Sequence, residues 1–174
     1  MVYNGTESEN EVSFMIGIMS DSHDNRGAIR AAVRLFNRAG CRLVLHAGDF
    51  VAPFAAGELE ALDCPVKAVF GNCDGEKAGL SKTVDAFGKI REAPFVFQLD
   101  GREFLLMHTH FSLKKYIRSK KFDVIVYGHT HRPEVRRSER SLIVNPGETG
   151  GWVTGKSSVA LLDLSPLDVE IVPV

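Results

Sequence analysis

A short apolar segment that ends abruptly in a polar turn is the feature that most constrains the fold of this 174-residue chain. Residues 14–19 are mostly apolar, and the turn at residues 20–25 contains Asp21 and His23. This pattern predicts a buried strand that places both side chains at its carboxyl end. Because ligands of open α/β sheets bind beyond the carboxyl ends of the strands, the turn is a candidate site.

Later apolar segments end in polar turns of the same kind. The segments and their polar residues are 42–46 with Asp49, 66–70 with Asn72 and Cys73, 104–107 with His108 and His110, and 122–127 with His129 and His131. Each has an ordinary explanation alone, because Gly-Asp and Gly-Asn pairs are common turns and His110 fits a solvent-exposed strand end equally well. Their shared position after successive apolar strands favours one site built from all of them.

Helices alternate with strands in the first half of the chain. Asn25 fits a helix N-cap, Gly40 fits a helix end, and a second helix is predicted at residues 55–62. This β-α-β-α-β order predicts neighbouring parallel strands. The second half predicts a hairpin around Asp100-Gly101, a short helix ending near residue 120, and strands at 134–137, 141–144, 157–162 and 169–172. A parallel half and an antiparallel half together predict an α/β fold of two mixed sheets packed face to face, with helices outside.

The composition is that of an ordinary globular protein, and the net charge limits the classes of partner that we expect. Hydrophobic residues make up 44% of the chain and the net charge is −1, so no overall charge favours nucleic acid or an anionic membrane. We expect a flexible tail at residues 1–12 and a single domain at residues 13–174. The cysteines form no close pair and the first residues lack a signal-peptide pattern, so we expect reduced thiols and a cytoplasmic location.

The polar residues at the strand ends form a donor set typical of divalent metals. The donors are Asp21, His23, Asp49, Asn72, His108, His129 and His131. Mixed oxygen and imidazole donors without thiolate suit Mn, Fe, Ni, Co or Zn. One metal takes about four to six ligands, so this number of donors favours two divalent metal ions. Paired ions ~3.5–4 Å apart are typical of phosphoryl displacement.

The order of these motifs resembles a known family. The chain contains, in order, Asp21-Ser22-His23, Gly48-Asp49, Gly71-Asn72-Cys73-Asp74, His108 and Gly128-His129-Thr130-His131. This series resembles the five blocks of the calcineurin-like metallophosphoesterases. The small size of the chain, with Asn145-Pro146-Gly147 and Gly150-Gly151-Trp152, resembles the compact bacterial and archaeal phosphodiesterase branch of that superfamily.

The resemblance implies a four-layer α/β/β/α sandwich with a dinuclear metal centre. Carried over by position, one metal would be held by Asp21, His23, Asp49 and His131. The other would be held by Asp49, Asn72, His108 and His129. Asp49 would therefore bridge the two metals. The resemblance further implies a dimer or larger homo-oligomer.

Cys73 departs from the pattern of many superfamily members, in which a histidine after the Gly-Asn pair is thought to protonate the leaving group. Cysteine or asparagine looks usual there for the compact branch. A thiol of pKa ~8.5 donates a proton weakly at neutral pH compared with an imidazolium of pKa ~6.5. We therefore expect weak leaving-group protonation, or protonation by His110, with both residues facing substrate. The alternative is that Cys73 is only a small buried residue.

The sequence predicts a metal-dependent phosphoesterase, and above all a phosphodiesterase acting on a small phosphorylated substrate. The mechanism it suggests is in-line attack on phosphorus by a hydroxide bridging two divalent metals, with Mn as the first candidate and Ni, Fe, Co and Zn as alternatives. One rival is a non-catalytic scaffold that binds proteins, because the retromer subunit that this fold resembles has lost metal ligands. In this chain every candidate ligand position is occupied, which favours the enzyme.

A second rival is a nuclease that uses a cluster of arginines. The cluster consists of Arg132, Arg136, Arg137 and Arg140. Arginines that alternate with other residues on a strand are more typical of a solvated sheet edge. Nucleic acid is therefore not expected as a partner.

Overall fold

The computed structural model describes residues 14–174, and the predicted tail at residues 1–12 lies outside that range. The described residues form two mixed sheets. The first sheet contains β1 (Met15–Met19), β2 (Leu43–His46), β3 (Val66–Val69), β4 (Gly88–Arg91), β10 (Ser158–Leu164) and β11 (Leu167–Pro173). The second sheet contains β5 (Phe95–Leu99), β6 (Arg102–Leu106), β7 (Val124–Val126), β8 (Glu134–Ser138) and β9 (Ser141–Asn145).

Strand pairing confirms the parallel first half and corrects the second. The first sheet has the order β11-β10-β1-β2-β3-β4, in which β1 to β4 are parallel and β10 and β11 run antiparallel to their neighbours. The second sheet has the order β5-β6-β7-β9-β8. The expected antiparallel second half is confirmed for the pairs β5–β6, β8–β9 and β10–β11. It was wrong for β6, β7 and β9, which pair in parallel. The helix between β6 and β7 provides the crossover that parallel pairing requires.

Four α-helices within the described residues cover the outer faces of the sheets. They are α1 (Arg26–Arg38), α2 (Pro53–Ala56), α3 (Lys77–Val84) and α4 (Leu113–Ser119). The predicted N-cap is confirmed, since the Asn25 side chain accepts a hydrogen bond from Ala28 N. The helix predicted at residues 55–62 is instead the short α2 followed by a 3-10 turn at Gly57–Ala61. The sequence predicted neither α3 nor β4.

Three apolar clusters of residues in the described range fill the spaces between four layers. The first lies between α1–α3 and the first sheet and includes Phe36 and Leu80. The second lies between the two sheets and includes Leu45 and Phe104, and the third lies between the second sheet and α4 around Ile117. The α/β/β/α sandwich is therefore confirmed. No helix among residues 14–174 has both the length and the apolar character needed to cross a membrane.

Gly17 allows α1 to pack closely on β1. A Cβ atom at this position would lie 2.6 Å from Cδ1 of the buried Phe36 ring. We expect Gly17→Ala to lower the free energy of unfolding by about 1–3 kcal/mol, because the added methyl group would force a fully buried ring to move. Urea denaturation measures this loss.

Gly27 within α1 provides the matched control. A Cβ atom there would meet nothing closer than 3.5 Å, at the Asn25 side chain. We expect Gly27→Ala to raise the free energy of unfolding by roughly 0.4–1 kcal/mol, because alanine restricts the unfolded chain. A Gly17→Ala protein as stable as the parent would show that the α1–β1 contact is looser than described.

Candidate metal centre

The carboxyl ends of five parallel strands from both sheets meet at one edge of the sandwich. The turns after β1, β2, β3, β6 and β7 carry the predicted donors, which are Asp21, His23, Asp49, Asn72, His108, His129 and His131. Two of the histidines approach the same oxygen of Asp49, whose Oδ2 lies 3.6 Å from Nε2 of His23 and 3.4 Å from Nε2 of His108. The structure therefore brings together side chains that lie far apart in the sequence.

Several of these residues have a left-handed backbone, which non-glycine residues rarely adopt. The residues and their φ angles are Asp21 at 51°, His23 at 39°, Asp49 at 60°, His129 at 66° and His131 at 60°. Each such residue costs about 1–3 kcal/mol and persists only where the surroundings hold it in place. The N–H groups of Asp21 and His23 donate to Gly48 O and Asp49 O, which ties the first two turns together. Clustered backbone strain of this kind is typical of functional sites.

One group of donors forms around Asp21. The rings of His23 and His131 are stacked with centroids 5.3 Å apart, and His131 Nε2 lies 3.6 Å from Asp21 Oδ1. His131 Nδ1 lies 3.0 Å from Oε2 of Glu148. Burial raises the pKa of Glu148, but hydrogen bonds from Thr154 and His131 outweigh it and lower the pKa to about 2. Because an ionised carboxylate only accepts, Nδ1 of His131 carries a proton and Nε2 is directed at Asp21.

A second group of donors forms around His108. Its Nδ1 donates to Ala47 O at 2.8 Å, since a carbonyl can only accept. Its Nε2 faces two further oxygens, Asn72 Oδ1 at 2.8 Å and Asp49 Oδ2 at 3.4 Å. A nitrogen that faces two acceptors requires a proton or a metal ion between them. The ring of His129 stands edge-on to that of His108, with centroids 5.1 Å apart, and borders the same group.

These residues fit divalent metal ions. Nε2 of His23 is buried and has no hydrogen-bond partner within residues 14–174, although it lies 4.0 Å from Asp21 Oδ1 and 3.6 Å from Asp49 Oδ2. Such an orphaned nitrogen beside carboxylates is costly unless a cation joins them. The groups whose donor atoms lie within 4.8 Å of one another are Asp21-His23-His131, His23-Asp49-Cys73 and Asp21-Asp49-His108. The clusters can therefore hold divalent metal, and Asp49 belongs to more than one of them.

Asp74 holds two of the metal-site turns in place. Its Oδ2 accepts hydrogen bonds from Asp49 N at 3.1 Å and Gly71 N at 2.7 Å, and its Oδ1 accepts one from Val51 N at 2.8 Å. The turns after β2 and β3 are thus joined by one buried carboxylate. The motif Gly71-Asn72-Cys73-Asp74 contained this residue, but sequence reasoning gave it no role.

His46 is the one histidine that was not a predicted site residue. It lies wholly buried and stacks on Phe50 with ring centroids 3.5 Å apart, and burial lowers its pKa to about 3. The neutral ring accepts from Gly48 N through Nδ1 and therefore donates from Nε2 to Ser22 Oγ. His46 thus positions the turns that carry Asp21 and Asp49.

Glu148 is a further site residue that sequence reasoning missed. Its wholly buried carboxylate binds His131 Nδ1 and also accepts from the backbone N–H groups of Val153 and Thr154. One side chain therefore connects a candidate ligand to the loop that carries Trp152. No spacing in the sequence signals this role, because the partners come from different turns.

Cys73 and His110 both lie at the rim of the centre. Cys73 N donates to Asp49 Oδ1 at 2.8 Å, and its exposed thiol lines the cleft, so the alternative of a buried Cys73 was wrong. The thiol is nevertheless partly desolvated by its neighbours, and this desolvation, followed by the nearby Asp49 carboxylate, raises its pKa to about 11. His110 is exposed and its ring centroid lies 6.0 Å from that of His129.

Comparisons with known proteins agree with this geometry. A model of the calcineurin-like phosphoesterase superfamily domain matches residues 14–166. Phosphodiesterase MJ0936 of Methanocaldococcus jannaschii is 36% identical over 152 residues, which cover 85% of this chain and 92% of that protein. The solved structure of an archaeal phosphodiesterase superposes with a TM-score of 0.89 at 32% identity, covering 92% of this chain and 100% of the other.

A more distant structure shares the fold alone. Wild-type Vps29 of Entamoeba histolytica, complexed with Zn²⁺, superposes with a TM-score of 0.65 at 19% identity, covering 92% of this chain and 98% of the other.

Proposed function

The chain belongs to the calcineurin-like phosphoesterase superfamily, and we propose that it is a phosphodiesterase that works with two divalent metal ions joined by Asp49. The observation that carries this proposal is the convergence of two donor groups on Asp49 Oδ2, 3.6 Å from His23 and 3.4 Å from His108. Burial opposes the ionised form of this carboxyl, but hydrogen bonds from His108 and Cys73 outweigh it and lower the pKa of Asp49 below its usual range. The carboxylate is thus ready to share its charge between two cations.

The proposed ligand sets follow the two groups. The first ion would be held by Asp21, His23, Asp49 and His131, and the second by Asp49, Asn72, His108 and His129. When bound, the ion pair supplies the Lewis acidity that activates water and neutralises charge on the phosphoryl oxygens. We propose Mn²⁺ as the resident ion, with Ni, Fe, Co and Zn as alternatives, because the donors are oxygen and imidazole.

The charges around the site favour a diester over a monoester. Four buried carboxylates among the described residues lie at or beside the site, and together they can offset the charge of two divalent ions. They are Asp21, Asp49, Asp74 and Glu148. Among the residues that the structure describes, no lysine or arginine lines the cleft. A phosphomonoester carries roughly −1.5 to −2 at pH 7, whereas a diester carries a single charge. The cleft is therefore better matched to the diester.

The arginine cluster is largely engaged within the protein. Arg136 donates to Glu134 at 2.7 Å, Arg140 pairs with Asp123, and Arg137 donates to Leu167 O. The strand β8 that carries two of them is an edge strand. These contacts support a solvated sheet edge over a nuclease surface, and a small phosphodiester is the proposed substrate.

Location and assembly stay predictions. Cys41, Cys64 and Cys73 are all free thiols, which is compatible with the proposed cytoplasmic location. The single domain at residues 13–174 and the homo-oligomer also remain proposals, the latter from the family resemblance alone.

The test of the proposed function compares bis(p-nitrophenyl) phosphate with p-nitrophenyl phosphate. We expect Mn²⁺-loaded protein to hydrolyse the diester with a kcat/KM at least about tenfold higher, a difference of about 1.4 kcal/mol in barrier. Chelation should abolish both activities and added Mn²⁺ should restore them. A protein that binds Mn²⁺ yet hydrolyses neither ester would contradict the proposal and favour the scaffold.

Replacing Cys73 tests the missing proton donor. We expect Cys73→His to raise kcat for diesters with alkyl leaving groups by up to about 10²-fold, because a positioned imidazolium is a stronger general acid than this thiol. Activated aryl leaving groups should gain little, since they depart without protonation. The measurement is kcat across leaving groups of rising pKa, with Cys73→Ser as the size-matched control. An equal gain on all leaving groups would refute a role in protonation.

A further inference from the structure

Trp152 forms an apolar wall beside the metal centre. It is the single tryptophan of the chain and is 66% exposed, and it lines the cleft together with His23 and His131. Its indole N–H donates to His23 O at 3.0 Å, so the ring is fixed to the turn that carries a candidate ligand. The neighbouring Val153 is 71% exposed and lines the same cleft, so the two side chains form an apolar patch of the kind that marks ligand-binding grooves.

The loop that carries Trp152 is held in one conformation. The N–H of Val153 donates to the Glu148 carboxylate at 3.1 Å, and the N–H of Thr154 donates to the same group. Gly155 N donates to Gly151 O at 3.1 Å and closes the loop. The exposed ring is therefore preorganised, which lowers the entropy lost when a ligand packs on it.

A second aromatic wall stands at the other donor group. Phe111 is 76% exposed, and its ring is edge-on to His129 with centroids 5.8 Å apart. Trp152 contacts the turn of His23, in the first proposed ligand set, whereas Phe111 contacts His129, in the second. Aromatic surfaces thus flank both halves of the centre.

We propose that Trp152 and Phe111 bind the two ester groups of the substrate, and that the preferred substrates are phosphodiesters with planar aromatic groups, as in nucleobases or aryl rings. The inference rests on the proposed function. A diester whose phosphate binds the metals extends two organic groups away from them. Because an aromatic side chain lies beside each proposed ligand set, each organic group can pack on one ring. Because no lysine or arginine is among the described residues that line the cleft, stacking on aromatic rings is the main interaction available to recognise these groups.

Two esters with the same leaving group isolate the contribution of the aromatic rings to binding the ester group that stays on phosphorus. Bis(p-nitrophenyl) phosphate and methyl p-nitrophenyl phosphate both release p-nitrophenolate and differ only in the group that stays on phosphorus. We expect the double variant Trp152→Ala/Phe111→Ala to lower the ratio of their kcat/KM values by roughly 3- to 10-fold, through KM. Trp152→Phe keeps a ring and should retain most of the ratio. Phe54→Ala removes a ring that is 62% exposed but faces Arg26, at 6.0 Å from the ring centroid, and no candidate ligand, so it should leave the ratio unchanged.

Fluorescence provides a readout that does not depend on turnover. Because Trp152 is the only tryptophan, its emission reports this wall alone. Diphenyl phosphate should change the emission of Mn²⁺-loaded protein in a saturable manner, and dimethyl phosphate at the same concentration should not.

The outcomes separate the two proposals. An unchanged kcat/KM ratio in the double variant, or equal responses to diphenyl and dimethyl phosphate, would overturn the aromatic subsites while hydrolysis of the methyl ester upholds the phosphodiesterase. If the parent protein hydrolyses neither ester, the proposed function is wrong and the subsites fall with it.

Discussion

Asp49→Asn is expected to lower kcat for phosphodiester hydrolysis by about 10³-fold, the upper range for loss of a major electrostatic contribution at an active site. Asparagine keeps the size of the side chain and an oxygen that can accept from Cys73 N, which now donates to Oδ1 at 2.8 Å. It removes the charge that faces both His23 and His108. The loss should therefore come from weakened metal binding in both donor groups, measured as kcat at one fixed Mn²⁺ concentration that just saturates the parent and as metal retained per chain.

The matched control for this variant is Asp85→Asn. Asp85 is an exposed aspartate that ends α3, lies 3.8 Å from Lys89 and is outside the cleft lining. It should keep the parent kcat and metal content, because exposed ion pairs contribute little. Asp49→Asn protein with parent-like activity would mean that this carboxylate does not join two cations.

Glu148→Ala is expected to weaken Mn²⁺ binding by about 10- to 100-fold, the usual cost of losing the partner that orients a histidine ligand. His131 Nδ1 would lose its acceptor at 3.0 Å, so its ring could turn away from Asp21. The backbone N–H groups of Val153 and Thr154 would lose the same acceptor, which should also loosen the loop that carries Trp152. Calorimetric Mn²⁺ titration measures the affinity, and Trp152 fluorescence anisotropy measures the loop.

Two further glutamate variants sharpen this test. Glu148→Gln retains one carbonyl oxygen for His131 and should lose less metal affinity than Glu148→Ala. Glu139→Gln removes a half-exposed carboxylate that pairs with Lys120 at 3.0 Å, and should change neither readout. Parent-like Mn²⁺ affinity in Glu148→Ala would show that His131 is oriented without it, or that His131 binds no metal.

The positions of the site residues could be predicted because strand periodicity is a local signal. Asp21, Asp49 and Asn72 each follow an apolar segment, and parallel strands deliver such residues to a common edge. The hairpin around Asp100-Gly101 was likewise visible, because glycine and aspartate at a tight turn have few alternatives. The residues within and beside each strand were therefore sufficient to predict these features.

Other features depend on contacts that no local pattern reveals. The stretch containing α3 and β4 has weak apolar periodicity, and β4 exists because it pairs with β3, where a Cβ on Gly88 would lie 2.2 Å from Val66 O. Parallel pairing of β6 with β7 is likewise a consequence of where α4 packs. The supporting roles of Asp74 and Glu148 emerge only when separate turns meet.

The most direct test of a two-metal centre joined by Asp49 is the count of Mn²⁺ retained per chain. Protein stripped by chelation, reloaded with Mn²⁺ and desalted would be analysed by elemental mass spectrometry, alongside Asp49→Asn. We expect two Mn²⁺ per chain in the parent and fewer than one in the variant. Retention of no Mn²⁺ by the parent, or of equal amounts by both proteins, would contradict a centre built around this carboxylate.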